Sequence, residues 1–242
     1  MTNSRWQFRL LAALALVTGS IAAGSAALAG SFQVNPVNLA IPPERATTSL
    51  SLQNTGSEPV SVRMVTYLWT QEGGKDVYSE TSNVIASPPI FTLEVGETQL
   101  VRVGLKDRRP GEAYRIVFEE IPRDNLEGNV IQVALRLNLP LFVEAEKGES
   151  SVHWQAWHDA SGGLTLAAEN IGNRHQKITG VELDREAGED RLLSEEVGVV
   201  LPSSIRRWDL GSQPDIAAGS AISLTIRTPA GEVQQQVVVQ QR

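Results

Sequence analysis

The sequence predicts an all-β chain built as two consecutive β-sandwich domains, and three observations predict it. Short runs of alternating polarity follow one another after residue 30, parted by turn residues roughly every 8–12 positions, the spacing of sandwich and barrel strands. No window of that region carries apolar residues at helical period over several turns. Near the middle of the 242 residues, the charged stretch Glu144-Ala145-Glu146-Lys147-Gly148-Glu149 separates two such strand sets, as a domain boundary does.

The first 29 residues are expected to lie outside that fold. Arg5 and Arg9 flank the start of an apolar stretch at 10–17, and a small-residue tract ends at Ala27-Leu28-Ala29. A basic start, a short apolar middle and an A-x-A end read as a secretory signal peptide cleaved after Ala29. Thr18, Gly19 and Ser20 interrupt the apolar stretch short of the ~20 residues that a membrane-spanning helix needs. Residues 30–145 and 146–242 would then be the two domains, soluble and exported. The chain carries a net charge of −7, and losing Arg5 and Arg9 takes the mature part to −9. That excludes nucleic-acid binding through bulk positive charge. The absence of cysteine excludes a disulfide framework, a thiol nucleophile and thiolate metal sites, and in an exported chain it suits a bacterial periplasm.

In the first domain Leu50 and Leu52 alternate with Ser49 and Ser51 before the turn Asn54-Thr55-Gly56. Val60, Val62, Met64 and Thr66 form the next run, closed by Glu72-Gly73-Gly74. Residues 91–95 end at Gly96-Glu97, 100–103 resume as a strand, and 114–118 close at Ile121-Pro122. The second domain offers runs at 151–156, 163–170, 176–184, 197–202, 204–209, 220–227 and 232–240. The longest run is 130–143. There Ile131, Val133, Leu135, Leu137, Leu139 and Leu141 take every second position, with Gln132, Ala134, Arg136, Asn138 and Pro140 between them. Such a strand has one apolar face and exceeds the ~5–6 residues typical of strands. It reads either as half-buried in its own sheet or as an edge that offers main-chain pairing and an apolar ladder to another protein. Pro140 suits an edge.

Catalytic chemistry has few carriers. His153 and His158 are five apart in a strand, hence on opposite faces, and His175 follows Gly172-Asn173-Arg174 as a surface or turn residue, so no metal site is expected. No G-x-S-x-G elbow, H-E-x-x-H pair or phosphate loop occurs. The adjacent acids Glu119-Glu120 and Glu195-Glu196 point opposite ways on a strand and make poor acid–base partners. No catalytic residue and no cofactor is expected, and the chain reads as a binding protein rather than an enzyme.

Several segments, in this order, resemble the PapD-like periplasmic pilus chaperones of chaperone–usher assembly. They are Leu50-Ser51-Leu52-Gln53-Asn54; Ser87-Pro88-Pro89 running through Leu93 and Gly96 to Val101-Arg102; Tyr114–Phe118 continuing to Glu120-Ile121-Pro122; and Val133-Ala134-Leu135 leading to Leu141-Phe142. The resemblance covers residues 31–145 well, and the second domain mainly by its β pattern and Asn170-Ile171-Gly172-Asn173. It implies two immunoglobulin-like domains set at an angle, with pilus subunits and an outer-membrane usher as partners. In that mechanism the last strand of the first domain completes a subunit that lacks its own final strand, and here Ile131, Val133, Leu135 and Leu137 would be the inserted residues. The best-known branch anchors the subunit's C-terminal carboxylate with an Arg and a Lys. Asn38 and Pro140 stand at those positions here, which looks more like the archaic or alternative branch. Arg115 is the first candidate to replace the pair, with Arg102 and Arg136 as the others. A structural or adhesive subunit with tandem sandwiches is the alternative, but such a subunit would carry a free alternating N-terminal extension, and the segment 30–38 is short. A secreted hydrolase would need a nucleophile, and none is found.

Overall fold

The computed structural model describes residues 32–122, 134–159, 161–184, 191–194 and 198–241. The expected signal peptide, Ile131 and Val133 lie outside the described residues. The strands of the first half are β1 (Phe32–Asn35), β2 (Leu39–Ile41), β3 (Thr47–Asn54), β4 (Val60–Glu72), β5 (Lys75–Glu80), β6 (Val84–Ser87), β7 (Ile90–Leu93), β8 (Thr98–Leu105), β9 (Ala113–Glu120) and β10 (Arg136–Val143). The second half follows with β11 (Val152–His158), β12 (Gly163–Asn170), β13 (Gln176–Ile178), β14 (Gly180–Asp184), β15 (Arg191–Ser194), β16 (Gly198–Val200), β17 (Ser204–Ser212), β18 (Ala221–Thr228) and β19 (Gly231–Gln241). No helix occurs among the described residues. The protein is all-β, with two immunoglobulin-like sandwiches.

In the first sandwich one sheet runs β1-β3-β8-β6 and the other β2-β10-β9-β4-β5, with β7 pairing the start of β4. Alternation decides which side chains meet between them. Leu50 and Leu52 of β3, Val101 and Val103 of β8, Tyr114, Ile116 and Phe118 of β9, and Leu139, Leu141 and Val143 of β10 form one buried cluster. The intervening serines and Arg102 face outward, as period-two geometry requires. β9 also buries Ala113 and Val117 on its other face, which suits its central place. Between β4 and β5, Gly73 and Gly74 both take positive φ, the conformation of a two-residue hairpin turn.

The second sandwich has a seven-stranded sheet, β15-β14-β18-β19-β11-β12-β17, and the pair β13-β16. The expected single strand over 176–184 is broken at Thr179, where the chain changes sheets: β13 pairs β16 while β14 pairs β18. Each sandwich turns one strand end around a buried asparagine. Asn54 Nδ2 donates to the carbonyls of Glu58 (2.8 Å) and Leu93 (3.2 Å), and its Oδ1 accepts the Gly56 N–H at 2.9 Å. Asn170 Nδ2 donates to Arg174 O (2.7 Å) and Val200 O (3.2 Å), while Oδ1 accepts the N–H of Gly172 at 3.0 Å. A β-carbon on Gly172 would fall 2.2 Å from the Glu149 carbonyl oxygen, so only glycine fits that turn.

Candidate functional site

The strand β10 is covered on one side only for most of its length. It pairs antiparallel with β9 from Arg136 to Phe142, but its other neighbour, β2, pairs only Leu141, Phe142 and Val143. Among the described residues, 136–140 therefore present an open sheet edge, the arrangement that accepts a further strand. The apolar face of β10 is graded along the chain. Leu139, Leu141 and Val143 are buried, Leu137 packs at the margin of the same cluster, and Leu135, just before the strand, is half-exposed. The main-chain pairing with β9 nonetheless reaches Leu135, whose carbonyl accepts the Glu120 N–H at 2.9 Å.

The opposite face of this sheet is ordered in rows across β4, β9 and β10. In one row Glu119 sits between Arg63 and Arg136, with Glu119 oxygens 2.9 and 3.1 Å from their guanidinium nitrogens. Two rows on, Arg115 is opposite Tyr67 on β4 and Pro140 on β10. Its side chain leans over the next row, with Cζ 3.8 Å from the centroid of the Trp69 ring and 5.8 Å from that of Tyr78. The Arg115 Nε is buried and makes no hydrogen bond. Burial pushes the Tyr78 hydroxyl above its usual range, against the pull of the Arg115 charge.

Arg115 lines a cleft of about 860 Å³ between the two sandwiches, together with Asn38, Pro140, Asp76, Lys177 and Arg206. Parallel pairing of β2 with β10 sets Leu39 opposite Leu141, so Asn38 and Pro140 are neighbours one residue earlier, and Arg115 faces Pro140 from the other side. Below the cleft Trp69, Ala113 and Phe142 of the first sandwich pack on Leu201 and Val199 of the second. His175 stacks on Phe142 with ring centroids 3.5 Å apart, and burial, then the Arg174 charge, pushes its pKa down to about 4. Gln71 donates from Nε2 to Val199 O (2.6 Å) and accepts the Leu201 N–H on Oε1 (3.0 Å).

Residues 31–147 match the family model described as the pili and flagellar-assembly chaperone, PapD N-terminal domain. The N-terminal domain belongs to the PapD-like family. Direct sequence comparison finds no significant match among curated proteins. By fold, the chain is similar to a chain of the CsuC–CsuE chaperone–tip adhesion subunit pre-assembly complex from archaic chaperone–usher Csu pili of Acinetobacter baumannii. That match has 22% identity and a TM-score of 0.66, covering 86% of this chain and 99% of the other. It is also similar to a chain of the Salmonella enterica SafA pilin–SafB chaperone complex (14% identity, TM-score 0.61, 88% and 98% covered). The E. coli chaperone DraB matches at 18% identity with a TM-score of 0.56, covering 86% and 97%.

Within the PapD-like domain the three candidate anchors separate. Arg102 is on β8, in the other sheet, where it faces outward and lines a shallow hollow with Arg45, Thr47 and Thr48. The width of the sandwich parts it from the cleft. Arg136 is already paired with Glu119. Arg115 alone of the three lines the cleft. Leu137, expected to be an inserted residue, is partly taken up by the chain's own core. His175, expected as a surface or turn residue, is half-buried and stacked on Phe142. The sequence reading overlooked Trp69, Asp76 and Tyr78, although the signal was present: a two-residue Gly-Gly turn sets Trp69 opposite Tyr78 and Gln71 opposite Asp76, on one face.

Proposed function

We propose that the protein is a periplasmic assembly chaperone that binds, folds and caps pilus subunits by lending them a strand, and passes them to an outer-membrane usher. The observation that carries this reading is the open edge of β10 lying beside the cleft that holds Arg115. A subunit with an incomplete sandwich exposes an apolar groove and two open edges, both of which invite aggregation. Leu135 and the marginal Leu137 supply apolar side chains to such a groove, and the alternation of the sequence extends the ladder to Val133 and Ile131. Arg115, unpaired at Nε and stacked on Trp69, offers its edge to the subunit's terminal carboxylate. We read it as the substitute for the Arg–Lys pair whose positions hold Asn38 and Pro140, as in an archaic or alternative branch. Export follows from the signal peptide ending at Ala29, with domains over 30–145 and 146–242. Nothing in this cycle needs a cofactor or a chemical step.

Co-expression of the mature chain with candidate subunits encoded beside it, followed by co-purification, tests the reading. The wild type should retain a subunit in a stable one-to-one complex. Arg115→Ala should lower affinity by tenfold or more, since a charge-assisted bond contributes about 1.5–3 kcal/mol. A subunit that accumulates folded without the chain, or an Arg115→Ala variant that binds as wild type, would contradict it.

A further inference from the structure

We infer that Asp76 and Arg206 are positioning residues for Arg115, so that the second sandwich helps to build the anchor; this rests on Arg115 being the carboxylate anchor. Arg115 is held over the Trp69 ring, with Tyr78 beside it. Both rings are in turn fixed by one carboxylate. The Trp69 indole N–H donates to Asp76 Oδ1 at 3.0 Å, and the Tyr78 hydroxyl to Oδ2 at 3.4 Å. Oδ1 also accepts Gln71 Nε2 at 2.8 Å, and Oδ2 accepts Arg206 Nη1, reaching across from β17, at 2.8 Å. The ion pair is sheltered: Arg206 is 15% and Asp76 21% exposed. Burial raises the Asp76 pKa, but the hydrogen bonds from Gln71, Arg206 and Trp69 and the Arg206 charge outweigh it and hold the carboxyl below its usual range.

The second sandwich makes room for this contact. A β-carbon on Gly198 would lie 2.6 Å from Arg206 Nε, so glycine there lets the side chain pass over β16 to reach Asp76. Arg206 Nε itself has no hydrogen-bond partner; the guanidinium is held by the Asp76 contact, with the Trp208 ring centroid 5.8 Å from its Cζ. The physical consequence is preorganisation. A guanidinium laid on a fixed indole keeps its edge aimed at an incoming planar carboxylate, whereas one above a loose ring spreads over its rotamers and must be ordered on binding. Arg206 never touches the ligand in this scheme; it acts through Asp76 and the rings.

The test is a double-mutant cycle read with a synthetic peptide of the last residues of a co-purifying subunit, made with a free C-terminal carboxylate and as the C-terminal amide. Arg115→Ala and Arg206→Ala should each weaken the free-acid peptide by about tenfold, and the double variant should be no weaker than Arg115→Ala alone. Asp76→Asn, which keeps an acceptor for Trp69 but loses the charge that holds Arg206, should fall between wild type and Arg206→Ala. The amide should bind all four proteins of the cycle alike. An Arg206→Ala loss that persists in the Arg115→Ala background, or with the amide, would assign Arg206 to domain arrangement only and overturn the relay. An Arg206→Ala protein with wild-type affinity would overturn it too. If Arg115→Ala itself binds the free acid normally, the anchor reading fails first and takes the relay with it.

Discussion

His175 is the residue at which pH reaches the junction of the two sandwiches. Its folded pKa is depressed to about 4 from 6.5, chiefly by burial against Phe142. The unfolded chain therefore binds the extra proton first as pH falls, so this group's stabilisation is complete above about pH 6.5 and is lost between there and about pH 4. Melts of wild type and His175→Gln should show a steeper fall in Tm for the wild type across that window and parallel behaviour above it. Asn170 acts at the same scale without titrating. With the buried Asn170 side chain bonded to Arg174, Val200 and Gly172, Asn170→Ala strands several polar groups and should cost about 1–3 kcal/mol in denaturant unfolding.

At the scale of elements, β10 divides its labour. Leu139 and Leu141 belong to the chain's own core, while Leu135 lies beyond it. Leu139→Glu should therefore unfold the protein, because a buried carboxylate has no partner there. Leu135→Glu should leave the melting curve near wild type while removing subunit from the purified complex. The alternation at 131–141 was plain in the sequence, as was the choice between serving its own sheet and serving a partner. Period alone could not divide the strand at Leu137, because the division is set by how far the core of the sandwich reaches along it, which is a tertiary fact. The same limit explains the anchors. Arg102, Arg115 and Arg136 look alike as outward-facing strand residues, and only the tertiary structure separates them: Arg102 by its sheet, Arg136 by its Glu119 partner, Arg115 by its place in the cleft. Asn54 and Asn170 were legible as turn residues, since each precedes a glycine by two, but their burial is a tertiary fact.

At the scale of the molecule, the hairpin of β4 and β5 joins the two sandwiches. Gly74 accepts the Arg207 N–H on its carbonyl at 3.0 Å, and a β-carbon on Gly74 would lie 2.5 Å from the Arg207 side chain, at a φ of +87°. Gly74→Ala is thus opposed both by backbone conformation and by contact with the second sandwich. It should lower Tm and widen the molecule in small-angle X-ray scattering; an unchanged scattering profile would mean that the hairpin does not hold the junction. The charged stretch at 144–149 lies between β10 and β11, yet nothing in the chain announced that Gln71, Asp76, Leu201 and Arg206 meet across it. Such pairs are more than a hundred residues apart and carry no period to read.

The brevity of β2 has a further consequence, for selectivity. An edge recognises another polypeptide through amides and carbonyls that every sequence possesses, so the open stretch 136–140 cannot tell one extended chain from another. On the proposed function, discrimination would come from spacing: how far a guest's terminus lies from the apolar positions that its groove offers, measured against the fixed distance between Arg115 and Leu135. On that function, such a chaperone would be tolerant of guest sequence and strict about guest length, so that one protein could serve several unlike subunits of a single fibre.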